Sequence, residues 1–324
     1  MRTKEKLAAL LTGSGSEFIS GSAIAEDLNI SRAAVWKHIK ALEKDGYKIE
    51  AVPNKGYRLS EDNDVVTEEA VLRYLGDLRD VFTVEVYTSV GSTNTLLKEK
   101  AGRLPDRSVI IAGAQTEGRG RIGRKFFSPE GTGIYLSVLL KQNIRPEHAG
   151  RLTTAAAVAA CRAIEECTGS TAEIKWVNDV FVGGKKVCGI LTEASVNYET
   201  GIPDNIAVGI GFNVYSPENG FPEDIAETAG AITEVRKKDL RARLAAVFLA
   251  GFHKACEDLD SPELYNEYKN RCFILGKPIY VLKKEGRIKA EAIDIRENFA
   301  LLVRCEDGRE EVLNAGEISI RPVK

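Results

Sequence analysis

Histidine is scarce in this chain, with three in 324 residues, at His38, His148 and His253. They stand in no ligand spacing, which argues against a histidine-built metal site and against a Ser-His-Asp triad. The six cysteines, Cys161, Cys167, Cys188, Cys256, Cys272 and Cys305, are scattered and form no CxxC pair. That pattern argues against a zinc site or a disulfide framework and for reduced thiols, so a cytoplasmic protein is expected. No run of about 20 apolar residues could span a bilayer, so no membrane partner is expected. The stretch MRTKEKLAALLTGSGSEF has an apolar patch too short for a signal segment and reads as the first amphipathic helix of a folded domain. The most basic glycine-rich stretch, GRGRIGRK at 118–125, lacks the GKS or GKT ending of a Walker A loop.

What is present starts with an uneven charge. Residues 1–60 hold ten Lys and Arg against seven Asp and Glu, while the whole chain carries −2. A basic segment on an acidic body suits an anionic partner at the N-terminal end. The same segment has a pattern to match. Ile24, Ala25 and Leu28 share one face of a short helix, and Asn29 and Ile30 form a tight link. Ser31 can cap a second helix, in which Val35, Ile39 and Leu42 recur at helical spacing. Gly46 ends it, and two short strands flank PNKG at 53–56. This predicts a winged helix-turn-helix over residues 1–62. Ser31, Arg32, Ala33, Trp36, Lys37 and Lys40 form the outer face of the second helix, small or basic as a major groove requires. Lys55 and Arg58 on the wing are placed to reach phosphates. A small protein-interaction domain with a solvated basic face is the plainer alternative. The polar stretch SEDNDVVTEEA, 60–70, reads as a linker.

Beyond it, TVEVY (83–87), SVIIAGA (108–114), GIYLSVLL (133–140) and NIAVGIGFNV (205–214) are strand-like, and 149–168 and 237–259 are helical. Without regular alternation these predict an α+β mixed sheet with helices on one side. Unusual residues fall at strand ends. GSTN (91–94) opens a helix with Ser92, Thr93 and Asn94, whose hydroxyls and amides suit a small polar group, although an ordinary cap explains them equally. The segment 114–129 carries Gln115, Gly118, Arg119, Gly120 and Arg121. KWVND (175–179) sets Lys175, Asn178 and Asp179 between apolar residues. GKKVCGIL (184–191) places Lys185 and Lys186 before a strand, where a solvated turn is also possible. Gly211 and Asn213 lie in GIGFN, where glycine signals close backbone approach. With no Ser-His or Cys-His dyad, this set suits positioning and charge neutralisation, the means of catalysing attack on phosphorus. It points to a carboxylate attacking a nucleotide phosphate.

GSTN, GRGRIGRKFFSP, KWVND, GKKVCGIL and GIGFN, in that order behind a winged helix, resemble the bifunctional biotin protein ligases and biotin operon repressors of the BirA type. The likeness covers essentially the whole chain. Val177 stands where the family commonly has proline, and Glu117 where it has a small residue. The resemblance implies a central catalytic domain like that of class II aminoacyl-tRNA synthetases, over 63–274. It implies activation of biotin by MgATP to biotinyl-5′-AMP, then transfer to one lysine of a biotin carboxyl carrier protein of acetyl-CoA carboxylase. By motif, Ser92, Thr93, Asn94 and Gln115 bind the biotin ureido ring. Gly118, Arg119, Gly120 and Arg121 close over biotin and the adenylate phosphate. Lys186 reaches the carboxylate and α-phosphate, Asn178 and Asp179 fall on the nucleotide side, and Asn213 is a further cofactor-binding residue. Lys186, Arg121 and Asp179 carry the catalytic roles, with Asp179 also accepting the acceptor lysine's proton. Mg2+ comes with the nucleotide and no separate metal site is implied. Operator DNA and a homodimer formed on adenylate binding complete the expected partners.

The tail 275–324 alternates and turns at KEGR, REN and EDGR, which reads as a five-strand barrel resembling an SH3 fold. Arg321 within it is a further residue expected to approach the site. A lipoate-type ligase, a ligand-sensing repressor without ligase activity, and a ligase with an idle winged helix remain as rival readings.

Overall fold

The computed structural model describes residues 3–141, 148–196, 203–283, 286–314 and 319–322. The chain gathers into two compact units. One is Met1–Tyr74 with Val235–Arg243, and the other is Leu75–Glu234 with Leu244–Lys324.

The first unit begins with helices α1 (Thr3–Gly13), α2 (Gly21–Asp27) and α3 (Arg32–Lys44). The antiparallel hairpin of β1 (Ile49–Val52) and β2 (Gly56–Leu59) follows. Ser20 and Ser31 cap α2 and α3, their hydroxyls accepting from the N–H groups of Ala23 and Ala34 at 3.0 and 3.1 Å. Leu7, Leu11, Ile24, Val35, Ile39, Leu42 and Leu59 make its core, so the helical spacing of 35, 39 and 42 does mark the buried face. Ile19 and Tyr57 exchange two 2.9 Å backbone hydrogen bonds that tie the wing to the helices. Gly56 beside them has φ of 113° and no space for a Cβ, which would meet the Ile19 carbonyl.

The stretch expected as a linker is packed instead. Asn63 and Asp64 are buried. The Asn63 side-chain oxygen accepts from the Lys48 N–H at 3.0 Å, and its carbonyl accepts from the Asp239 N–H at 3.0 Å. Asp64 accepts from the backbone N–H and the Nε of Arg241, at 2.9 and 3.0 Å. The polar residues here are buried because their partners arrive from remote sequence. The cut expected after residue 62 therefore falls inside a bonded segment, and helix α4 (Glu68–Leu75) carries the unit on to Tyr74.

The second unit is built on a seven-stranded sheet. Its strands are β3 (Thr83–Tyr87), β4 (Ser108–Ala112), β5 (Gly133–Leu140), β6 (Glu173–Lys175), β7 (Asp179–Val182), β8 (Lys185–Val196) and β9 (Pro203–Asn213). Their order across the sheet is β3-β4-β5-β9-β8-β7-β6. Among the pairs of described strands only β3–β4 is parallel, so the sheet is mixed as expected. Its helices are α5 (Thr93–Lys100), α6 (His148–Thr168), α7 (Glu223–Ala226), α8 (Leu240–Glu257) and α9 (Pro262–Arg271). The expectation of helices on one side needs correction. Thr153 of α6 meets Thr192 of β8, and Phe248 of α8 meets Phe212 of β9, on one face. Asn94 of α5 bonds Ser137 and Glu193 on the other, because side chains alternate along β5, β8 and β9.

A second sheet contains β10 (Pro278–Lys283), β11 (Gly286–Ile295), β12 (Leu301–Cys305), β13 (Glu310–Leu313) and β14 (Ser319–Pro322), all antiparallel. It shares the second unit with the seven-stranded sheet and does not separate as the third body expected at 275–324. Trp176 donates its indole N–H to the Phe299 carbonyl at 3.0 Å, and Lys269 pairs with Asp294 at 2.6 Å. No helix among the described residues is long and apolar enough to cross a membrane.

Candidate functional site

A cavity opens on the α5 face of the larger sheet, and most of the anticipated residues converge on it. Ser92, Thr93 and Asn94 are buried at the start of α5. Ser92 holds the cap position without making a side-chain capping bond, so its hydroxyl is not consumed by the helix. Thr93 donates its backbone N–H and its hydroxyl to the Gln115 oxygen at 2.9 and 3.2 Å, and the Gln115 amide donates to Ser128 at 3.0 Å. The Ser137 hydroxyl lies 2.7 Å from the Thr93 hydroxyl and 2.6 Å from the Asn94 oxygen. Beneath Asn94, Gly209 leaves no space for a side chain. The result is a fixed set of neutral donors and acceptors, suited to a compact polar ligand head.

The basic loop folds back on itself. The Phe126 N–H donates to the Gly118 carbonyl at 2.8 Å and the Gly120 N–H to the Arg124 carbonyl at 2.7 Å. The bend lies at Ile122 and Gly123, both with positive φ. Phe126 emerges from this hairpin over two bare glycines, Gly189 and Gly211, where a Cβ would strike its ring. Arg121 reaches across to donate to the Asn178 oxygen at 3.2 Å, and Asn178 donates in turn to the Ile190 carbonyl at 2.9 Å. Burial weakens the hold of the Arg121 guanidinium on its proton, against the pull of nearby Asp179. Lys186 and Asp179 pair at 2.6 Å, and the Lys186 ammonium lies 5.9 Å from the Phe126 ring centre. The plain-turn reading fits Lys185, whose ammonium donates to the Glu227 carbonyl at 2.5 Å, and not Lys186, which lines the cavity. Lys175 also lines it.

Two anticipated residues stand apart. Asn213 pairs with Gly133 at the end of β9 and accepts from the Ile232 N–H at 2.9 Å, away from the cavity lining. Gly118 lies beneath the loop, where a side chain would strike the Phe126 carbonyl and Ser128. Its role is close approach of backbone, with no contact to the cavity. The side chain of Arg321 lies outside the described residues. Sequence reasoning passed over Phe126, Ser128, Ser137 and Glu193. Phe126 and Ser128 were visible within one motif; Ser137 and Glu193 are single polar residues with no local signature. Burial drives the Cys256 thiol up to about 12 and Cys188 well above its ordinary value, so neither is a ready nucleophile. Among the described residues no three His, Cys, Asp or Glu side chains could hold a metal ion.

On the first unit, Arg32, Ala33, Lys37 and Lys40 are exposed along α3, as is Ser31, whose hydroxyl is spent on capping. Trp36 is 57% exposed and Lys55 projects from the wing. Arg58 departs from expectation. It pairs with Glu50 at 2.8 Å, donates to the Ser16 carbonyl at 3.1 Å and lies 4.6 Å over the Phe18 ring. The Glu50–Arg58 register across the hairpin puts this guanidinium to structural use.

Comparison with known proteins follows this division. Residues 86–213 match the biotin/lipoate A/B protein ligase family, and residues 3–58 match an HTH domain. The chain is 32% identical over 319 residues to the bifunctional ligase/repressor BirA of Bacillus subtilis, covering 96% of this chain and 97% of that one. It is 30% identical over 321 residues to the Escherichia coli protein of the same name, covering 98% and 96%. The biotin protein ligase of Aquifex aeolicus in complex with biotin and ATP superposes with a TM-score of 0.62 at 28% identity, covering 74% of this chain and 99% of that one. Motifs, cavity and full-length likeness agree, and the chain belongs to the BirA family of bifunctional biotin ligase/repressors.

Proposed function

We propose that this chain activates biotin with ATP to biotinyl-5′-AMP, transfers the biotin to a specific lysine of a biotin carboxyl carrier protein, and represses the biotin operon in response to biotin. The observation that carries this reading is one cavity that joins neutral Thr93, Asn94 and Gln115 to the cations Arg119, Arg121 and Lys186. The neutral group suits the uncharged ureido ring. The cations suit two anions that must meet.

The chemistry follows from that division. A biotin carboxylate oxygen attacks the α-phosphorus of ATP, a new P–O bond forms, and pyrophosphate leaves. Lys186 offsets the repulsion between carboxylate and phosphate, and Arg119 and Arg121 hold the phosphate as charge develops. Asp179 orients Lys186 through their 2.6 Å contact. In the second step the acceptor lysine's amine attacks the mixed anhydride carbonyl and AMP leaves. Asp179, as a carboxylate, takes the amine's proton. Magnesium fits as an ion brought by the nucleotide, since Asp179 is the carboxylate among the cavity's described residues and is already paired. Bound there, it would supply charge to the leaving phosphates.

The outer architecture extends the proposal. The five-stranded C-terminal sheet is of the SH3-like type, and the larger sheet is related to class II aminoacyl-tRNA synthetases. Ser31, Arg32, Ala33, Trp36, Lys37, Lys40 and Lys55 meet operator DNA, and the adenylate-bound chain is a homodimer. Biotin-dependent exchange of pyrophosphate into ATP tests the ligase reading. Exchange driven by lipoate and not by biotin would replace it with the sister activity of the family.

A further inference from the structure

Glu193 does not line the cavity, yet it connects both halves of the site. It stands on β8 opposite Ala207 of β9, on the sheet face that carries Asn94 and Gly209. One carboxylate oxygen pairs with Lys98 at 2.9 Å and with Arg119 at 3.2 Å. The other accepts from the Asn94 amide at 2.9 Å. Burial pushes the pKa of this carboxyl up, but the Lys98 and Asn94 hydrogen bonds outweigh it, and the group is held below the usual glutamate value. It is therefore an anion through the neutral range.

A carboxylate only accepts, so Asn94 must turn its NH2 toward Glu193. Its oxygen then faces Ser137, at 2.6 Å. The same carboxylate holds Arg119 at the root of the basic hairpin, where Arg119 bridges Lys125. The ligand-head pocket and the loop that covers the phosphate thus share one anchor.

We infer that Glu193 is a positioning residue of the ligase reaction, fixing the Asn94 amide and the Arg119 end of the basic loop together so that the acyl-adenylate is retained. This rests on the ligase reading above. Lys98 supplies the internal comparison, because it meets the same carboxylate from α5 but, unlike Asn94 and Arg119, does not line the cavity.

The test is the rate at which preformed biotinyl-5′-AMP leaves the full-length protein, read for wild type, Glu193→Gln, Lys98→Met, Arg119→Gln and the Glu193→Gln/Arg119→Gln double variant. Thermal unfolding of each is recorded alongside. Glu193→Gln should speed release about fivefold or more, with Lys98→Met near wild type, and the double variant should release no faster than the quicker single one. Biotin KM should rise more than kcat falls. Release from Glu193→Gln at the wild-type rate overturns the inference. So do additive losses in the double variant, or an equal effect of Lys98→Met, which would make Glu193 a brace for α5 alone. A Glu193→Gln that unfolds early is replaced by Glu193→Asp, which keeps the charge but shortens the reach, with the same expected order. Failure of wild type itself to make any adenylate would sink the ligase reading and not this assignment alone.

Discussion

Lys186 shows how a single residue separates from a near twin. Lys185 and Lys186 are adjacent, but alternation along β8 sends one to the Glu227 carbonyl and the other into the cavity beside Asp179. Lys186→Ala should cut pyrophosphate exchange by about 100-fold or more, the scale expected when one preorganised charge is lost from a transition state. Lys185→Ala should stay within about threefold of wild type, as surface truncations do. Exchange rates of the two variants at saturating ATP check this, and equal losses would contradict the assignment. The sequence motif pointed to a lysine that lines the cavity because the motif is local and periodic. Asn213 was misplaced for the opposite reason, since its motif fixes a strand but not where along the strand the cavity ends. Ser137 and Glu193 were illegible because their meaning comes from β5 and β8 lying beside α5, which no local pattern records.

At the scale of elements, the wing and the α6–α9 pair carry separate predictions. The strands, capped helices and hydrophobic spacing of the wing were readable from periodicity, yet the roles of its two cations were not. Lys55→Ala should weaken operator binding about equally across sequences and lower the salt dependence by about one counterion. Arg58→Ala should instead lower the melting temperature of the protein, through loss of the Glu50, Ser16 and Phe18 contacts. Binding titrations at several salt concentrations, set beside thermal melts, tell the two apart. The α6–α9 pair is held by ions. Arg271 bonds Glu165 at 2.7 Å, and Arg162 bonds Glu267 at 3.0 Å. The Arg271 hydrogen bond holds the Glu165 carboxyl below its ordinary 4.5. A depressed native value means the unfolded chain binds more protons as pH falls. The stabilisation is therefore complete above about pH 4.5 and fades below it. Melting temperatures of wild type and Glu165→Gln should differ at pH 7 and converge as pH drops below about 4.5. A constant gap across that range would show that Glu165 acts by packing and not by charge.

At the scale of the molecule, the two units pose the question of linkage. The sequence showed that a basic helix-turn-helix precedes a ligand-binding body, but it misread the joining stretch. Asn63 and Asp64 looked like solvent-facing linker residues because their partners, Lys48 and Arg241, are 15 and 177 positions away. A single α3 helix and wing offer a small surface for DNA, too little for tight specific binding alone. Two copies related by a two-fold axis would read a palindrome, with half-sites about one helical turn (~34 Å) or a multiple apart. The ligand need not touch DNA for biotin to control this. It needs only to favour the dimer, most simply by ordering the Glu117–Lys125 hairpin beside a sheet edge such as β3, which ends the larger sheet. Reciprocity then requires operator DNA to tighten adenylate binding by the same factor that the adenylate tightens operator binding. Sedimentation with and without biotin plus ATP, together with operator titrations at one salt concentration, measures both sides. The expected result is a shift from monomer to dimer and a matching rise in operator affinity when both ligands are present. If neither changes, the winged helix is idle and repression has no physical route through this chain. If the dimer forms but operator affinity is flat, the coupling fails at the DNA unit, and the exposed face of Arg32, Trp36, Lys37 and Lys55 is where the fault would lie.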